Sequence, residues 1–143
     1  MNFSQITSSL IMVKPKHFNY NKETANNNYF QKKEKILNKN EIQLKAIEEF
    51  EKMVEVIRKE KIEIHVFNDR DNIKTTDSIF PNNWITLHED GTVIIYPMFS
   101  ENRRKEKRKD LTEKLKNKGY SITKIIDLSS YEKKKQNMLC CII

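Results

Sequence analysis

Hydrophobic and polar positions alternate along this chain in blocks that predict strand, helix, strand and hairpin. Residues 10–13 are a short apolar run stopped by Lys14 and Pro15, the pattern of a buried first strand. Residues 16–40 lack periodicity and instead carry asparagines (19, 21, 26, 27, 28) and aromatics (18, 20, 29, 30). Loops of this length in compact domains are functional or disordered, and the aromatics favour an ordered one. Residues 41–59 predict a helix. Ala46 or Ile47, Phe50, Val54 and Ile57 recur at three- and four-residue steps against a Glu/Lys face, with Asn40 as N-cap and Glu41 in the first turn. Residues 62–67 alternate, with Ile62, Ile64 and Val66 opposite Glu63, His65 and Phe67. A strand returning directly after an amphipathic helix predicts a β-α-β unit with parallel pairing.

Residues 68–76 are polar and turn-like. Residues 78–87 are apolar but interrupted by Pro81, which demotes them to a bulged or edge strand. Glu89-Asp90-Gly91 signals a tight turn, and residues 92–98 predict the answering hairpin strand. Ser100 caps a second predicted helix running to about residue 118 and closed by Gly119, with only Leu111 and Leu115 on its apolar stripe. Residues 121–128 predict a last strand. The fold class is α/β, with a strand-helix-strand-hairpin rhythm that looks repeated and no low-complexity linker.

Composition narrows the function classes. A chain of 143 residues is one domain by length and long enough to bury a core. With 37% hydrophobic and 33% charged residues it lies above the disordered class. The net charge of +7 invites a nucleic-acid reading. Against it, the excess is carried by Lys in a chain crowded with Asn and Ile, the residues that A/T-rich codons favour. The basic residues are scattered, and their densest run, RRKEKRK (103–109), reads as a solvated helix face. Nucleic acid is therefore discounted as a partner. The two cysteines, Cys140 and Cys141, are adjacent, with no metal-site spacing. The start lacks a basic leader, and no stretch approaches the ~20 apolar residues a membrane helix needs. A reduced cytoplasmic setting without membrane contact is the expectation.

The chemistry concentrates in DSIFPNNW (77–84) and the hairpin that follows it. One acid and two primary amides surround a proline between apolar segments, a set that can hold a planar, nitrogen-rich carbon such as a guanidinium or ureido group. Each residue also has a plainer reading. Asp77 can cap a strand, Asn82 and Asn83 can satisfy backbone groups at a bulge, and Arg103 can be solvated. Trp84 reads as core, and His17, His65 and His88 as structural.

Two stretches, MVKPKHFNYNKETANNNYFQ (12–31) and FPNNWITLHEDGTVIIYPMFSENRRKEKR (80–108), resemble the amino-terminal half of the guanidine-modifying (pentein) superfamily. It includes arginine deiminases, dimethylarginine hydrolases and amidinotransferases, and the likeness is to its citrulline-hydrolase and amidinotransferase-like branch. The resemblance covers residues 10–128. It implies a partial α/β propeller of ββαβ modules, about the first two of five. It also implies a cysteine thiolate attacking a guanidino or ureido carbon, a histidine moving protons, and no cofactor or metal. By resemblance the substrate-binding residues are Asp77, Asn82, Asn83 and Arg103, the last meeting the substrate carboxylate through its planar fork. Residues 20–28 match the loop over the amino-acid end of the substrate. Relatives acting on guanidines carry carboxylates where Asn82 and Asn83 stand. A carboxylate accepts only, whereas an amide also donates to a ureido oxygen, so the Asn pair points to citrulline.

Residues 129–143 match nothing expected there and read as a divergent, out-of-frame tail on an amino-terminal part spanning 1–128. Cys140 and Cys141 lack the base or positive pocket that would activate a thiol, so no catalytic residue is assigned in this chain. The sequence is read as a truncated relative of a cysteine-dependent hydrolase or amidinotransferase acting on citrulline or a guanidino amino acid, inactive and weakly stable alone. The alternatives are a half-subunit completed by a separately encoded carboxyl half, and a small basic α/β binding module.

Overall fold

The first apolar run folds as β1 (Ser9–Lys14), one residue longer at each end than its hydrophobic stretch. A computed structural model describes residues 7–25 and 36–134. The chain divides into two compact units, Met1–Phe80 and Pro81–Ile143, so the boundary cuts through DSIFPNNW.

In the first unit, helix α1 (Lys39–Lys59) starts at Asn38 rather than Asn40. The Asn38 side chain accepts from the amides of Asn40 (2.9 Å) and Glu41 (3.0 Å), and the Glu41 carboxylate accepts the Asn38 N–H at 2.7 Å. Glu41 lies three residues after Asn38, the spacing of a capping box, so the cap moves there. Arg58 and Lys59 face the negative end of the helix dipole. The helix buries Ala46, Phe50 and Val54, one residue per turn. Phe50 and Val54 pack with Ile64, and Met12, Ile57, Val66 and Ile79 close around them. Strand β2 (Glu63–Asn68) pairs parallel with β1, Ser9 opposite Glu63 and Lys14 opposite Asn68, as the β-α-β pattern predicts. Ile64, His65 and Phe67 are all buried, so β2 is covered on both faces and its alternation marks no solvent side.

The second unit opens with a 3-10 turn, Pro81–Asn83, where the sequence suggests bulged strand. Proline fixes its own φ and offers no N–H to a ladder. Strand β3 is accordingly only Ile85–Leu87, and it pairs antiparallel with β4 (Thr92–Ile95). The turn between them uses Gly91 at φ 80°. A Cβ there would lie 2.6 Å from the Ser121 carbonyl, so the position needs glycine on two counts.

The second predicted helix is two: α2 (Glu101–Arg104) and α3 (Asp110–Asn117). Ser100 precedes α2 without a side-chain cap, its Oγ buried and unpartnered. The run between the helices holds no apolar residue to pack, so continuing the helix there gains nothing. Glu106 and Arg108 turn inward instead and are buried, which corrects the reading of 103–109 as a solvated face. Leu111 and Leu115 are buried on α3 as expected. Strand β5 (Lys124–Asp127) pairs parallel with β4, giving a three-stranded sheet in the order β3-β4-β5. The second unit buries Trp84, Ile85, Val93 and Met98 together with the two leucines. Element order is β-α-β in the first unit and β-β-α-α-β in the second.

Candidate functional site

In the first unit, the polar side chains gather in the loops that leave the carboxyl ends of β1 and β2. Parallel α/β sheets place ligands at that edge because the loops there converge beyond the strands. The Asp69 N–H donates to the Lys14 carbonyl at 3.1 Å, carrying the parallel ladder one step past the strands. Asp69 is buried. One carboxyl oxygen accepts from the Arg70 amide (2.8 Å), the other from Thr75 Oγ1 (2.6 Å) and Ser78 Oγ (2.7 Å). Those three bonds fold residues 69–78 around one acceptor and set the backbone from which Asp77 projects. His17 Nε2 lies 3.2 Å from the Arg70 carbonyl; a carbonyl only accepts, so this nitrogen carries the proton. Lys16 pairs with exposed Asp71.

Asp77 is 8% exposed, and Asn21, at 1%, donates to its Oδ2 from Nδ2 at 2.6 Å. The Asn21 Oδ1 accepts the Glu23 N–H at 3.1 Å, and the Asn21 carbonyl accepts the Ala25 N–H at 3.0 Å. The asparagine thus ties its own loop into a turn and delivers its amide to the acid from 56 residues away. Sequence reading singles out Asp77 but sees Asn21 only as one member of an asparagine cluster. It passes over Asp69 as part of a polar turn. The one signal that could have found Asn21 is its place within residues 20–28, the stretch that resembles the loop over the substrate.

In the second unit, Asn83 and Arg103 meet. Arg103 Nη1 donates to Asn83 Oδ1 at 2.7 Å. The other edge of the guanidinium is held by Glu106: Nε lies 3.1 Å from Oε2 and 3.3 Å from Oε1, and Nη2 lies 3.0 Å from Oε2. The Glu106 side chain is only 1% exposed, so a buried charge is neutralised by a nearly buried partner. Asn82 is exposed. Trp84 is 1% exposed and belongs to the core, as its plainer reading holds.

Around this pair, Glu132 accepts the Met98 N–H at 2.9 Å and pairs with Lys107 and, at 3.6 Å, Arg104. Arg104 also donates to the carbonyls of Met98 (2.9 Å) and Phe99 (3.1 Å), fixing the segment after the hairpin. Buried Arg108 grips Asp110 through Nε (3.1 Å) and Nη2 (2.7 Å), and Lys114 adds a third contact. The Arg108 guanidinium, with help from Lys114, holds the Asp110 carboxyl well below the usual carboxylate range.

The remaining sequence candidates disperse. His65 is buried beside Glu63 at 3.5 Å, and exposed His88 lies 3.1 Å from Thr86 Oγ1. Residues 26–28 of the covering loop, the tail from residue 135, and both cysteines lie outside the described residues. Among the described residues, no three His, Cys, Asp or Glu side chains group as a metal site, and no helix is long and apolar enough to cross a membrane.

The second unit thus presents an amide beside a locked guanidinium, and the first a buried acid beside an amide. These are groups suited to planar nitrogen-rich carbons. No curated protein matches the chain, and neither does a solved structure. A family model described as "N,N dimethylarginine dimethylhydrolase, eukaryotic" matches residues 14–139, a span that includes Asn21, Asp77, Asn82, Asn83 and Arg103 and runs past residue 128. On that match the chain belongs to the dimethylarginine dimethylhydrolase family of guanidino-modifying hydrolases.

Proposed function

We propose that this chain is a substrate-binding portion of a cysteine-dependent hydrolase acting on the ureido carbon of citrulline, with guanidino amino acids as weaker ligands. In this reading the second unit, with order β-β-α-α-β, is one ββαβ module of a propeller. In the first unit, taken by itself, the proposed binding residue is Asp77, an acceptor for an N–H donor of this substrate class. In the second, taken by itself, they are Asn82, Asn83 and Arg103. The observation that carries the reading is the buried Asp77–Asn21 pair at the carboxyl edge of a parallel strand pair. An acid kept in place by a buried amide donor is oriented before any ligand arrives, which lowers the ordering cost of binding.

The experiment is titration calorimetry of the chain with L-citrulline, L-arginine and N,N-dimethylarginine, paired with an assay for ammonia or amine release. Citrulline is expected to bind, Asp77→Ala to abolish that binding, and no product to form. Turnover by the chain alone would overturn its role as a binding portion, and no binding of any of the three would overturn the substrate class.

A second reading, a subunit completed by a separately encoded carboxyl half bearing the His and Cys, is favoured by Leu87 and Ile125. They stand 43% and 49% exposed on either side of buried Val93 in the β3-β4-β5 register. Pull-down of a second chain carrying both catalytic groups is its test.

A further inference from the structure

Glu106 makes no appearance in the binding set above, yet it decides what Asn83 presents. An arginine Nη1 can only donate, so the atom 2.7 Å from it must be the oxygen of the Asn83 amide. That bond fixes which way round the amide stands, with one lone pair of Oδ1 taken by Arg103 and the Nδ2 hydrogens turned to the other side. Among the described residues no partner takes those hydrogens, and Asn83 is only partly buried. Arg103 holds this pose because Glu106 clamps its opposite edge through Nε and Nη2. The carboxylate doing so is 1% exposed and anchored in the chain turn after α2, where the Glu106 N–H donates to the Arg103 carbonyl at 3.0 Å.

We infer that Glu106, acting through Arg103, is a positioning residue that makes Asn83 an obligate hydrogen-bond donor and so selects a ligand with a carbonyl oxygen over a guanidinium. The inference rests on the function proposed above. It also differs from the family-derived expectation that Arg103 reads a substrate carboxylate, because here the fork is turned onto a carboxylate of the chain itself. A ureido group offers an oxygen acceptor to the Asn83 amide. A guanidinium offers only N–H donors and meets donor with donor, leaving both unsatisfied. Discrimination built by leaving the wrong ligand unpaired is the stronger kind. One unsatisfied polar contact corresponds to roughly tenfold or more in affinity.

The test is an NMR titration of the chain with L-citrulline and L-arginine, following the Asn83 side-chain amide pair, assigned by its disappearance in Asn83→Asp. Trp84 emission in each variant reports whether the second unit is folded. In the wild type, citrulline is expected to move the Asn83 pair and to bind about tenfold or more tightly than arginine. Glu106→Gln keeps the shape but weakens the clamp, and Arg103→Lys keeps the charge but cannot span Glu106 and Asn83. Both are expected to shift the Asn83 pair in the free protein and to lose the preference, while Glu106→Asp restores part of it.

An Asn83 pair that stays put in both variants overturns the relay, with or without ligand. A preference for citrulline that survives both variants overturns the specificity role. If neither ligand moves any resonance while the variants do shift the Asn83 pair, the substrate class proposed above has failed and the selective role with it, but the clamp itself stands. The two failures are therefore told apart in one data set.

Discussion

Asp69 is the side chain whose loss would be felt furthest in the first unit. Its oxygens accept from one backbone amide and two hydroxyls, and both hydroxyl contacts are buried. In Asp69→Asn one acceptor becomes a donor facing hydroxyl groups that were donating to it. The cost is expected at about 1–3 kcal/mol, the range for a buried group left with the wrong partner. Urea unfolding followed by far-UV circular dichroism measures it, since the single tryptophan, Trp84, lies in the other unit. A loss below about 0.5 kcal/mol, the scale of an ordinary surface substitution, would show that the loop does not depend on this acceptor. Residues of this kind escape sequence reading for a simple reason. Asp77 is flagged by its neighbours in the chain, but the partners that give Asn21 and Glu106 their meaning come from the fold. Asn21 finds its acid 56 positions away, and Arg103 finds Asn83 at 20.

At the scale of elements, long-period patterns are legible and ends are not. The stripe Ala46, Phe50, Val54 places α1 because burial of one face is what stabilises a helix of this length. Its start is set by a reciprocal pair of hydrogen bonds, and two asparagines two residues apart are equally good candidates by type. Asn38→Ala is expected to cost about 1 kcal/mol, while Asn40→Ala, inside the helix, changes stability little or raises it slightly. Thermal unfolding at 222 nm distinguishes them, and equal losses at the two positions would contradict the cap at Asn38. The predicted helix from 100 to 118 fails for the complementary reason. Its first half holds no apolar residue and is mostly charged, so its conformation follows which ion pairs the fold can close. Glu106 with Arg103 and Arg108 with Asp110 replace a helical face with buried contacts.

For the molecule as a whole, acid is the informative perturbation. Asp110 is held low by Arg108 first and Lys114 second, and Asp127 is held low by its bonds to Ser129. A carboxyl group whose folded pKa lies below its unfolded value of about 3.9 contributes stability that is fully present above that value. The contribution is lost as pH falls through the folded value. The second unit is therefore expected to keep its stability down to about pH 4 and to lose part of it progressively below. Asp110 is 42% exposed, so solvent screening keeps its share modest. Asp110→Asn should lower stability at neutral pH and flatten the decline below pH 4. Urea midpoints by Trp84 fluorescence at pH 7 and in the acid range test this, and an unchanged acid slope in the variant would count against the Arg108–Asp110 assignment.

The sequence by itself determined the α/β class, the parallel return after α1, the hairpin at Gly91 and the guanidino-modifying superfamily, though not a branch within it, because each rests on local periodicity, turn chemistry or a run of identities. It also drew attention to Asp77, Asn82, Asn83 and Arg103 as a set. Only the tertiary structure decided the rest. It placed the unit boundary between Phe80 and Pro81, gave Asp77 its buried amide, and turned Glu106 inward to hold Arg103 on Asn83. For the Asn21–Asp77 and Arg103–Asn83 contacts the physical reason is the same. A polar side chain's role is set by the donor or acceptor that burial brings within about 3 Å of it, and the identity of that partner is a property of chain reversal, not of sequence neighbourhood.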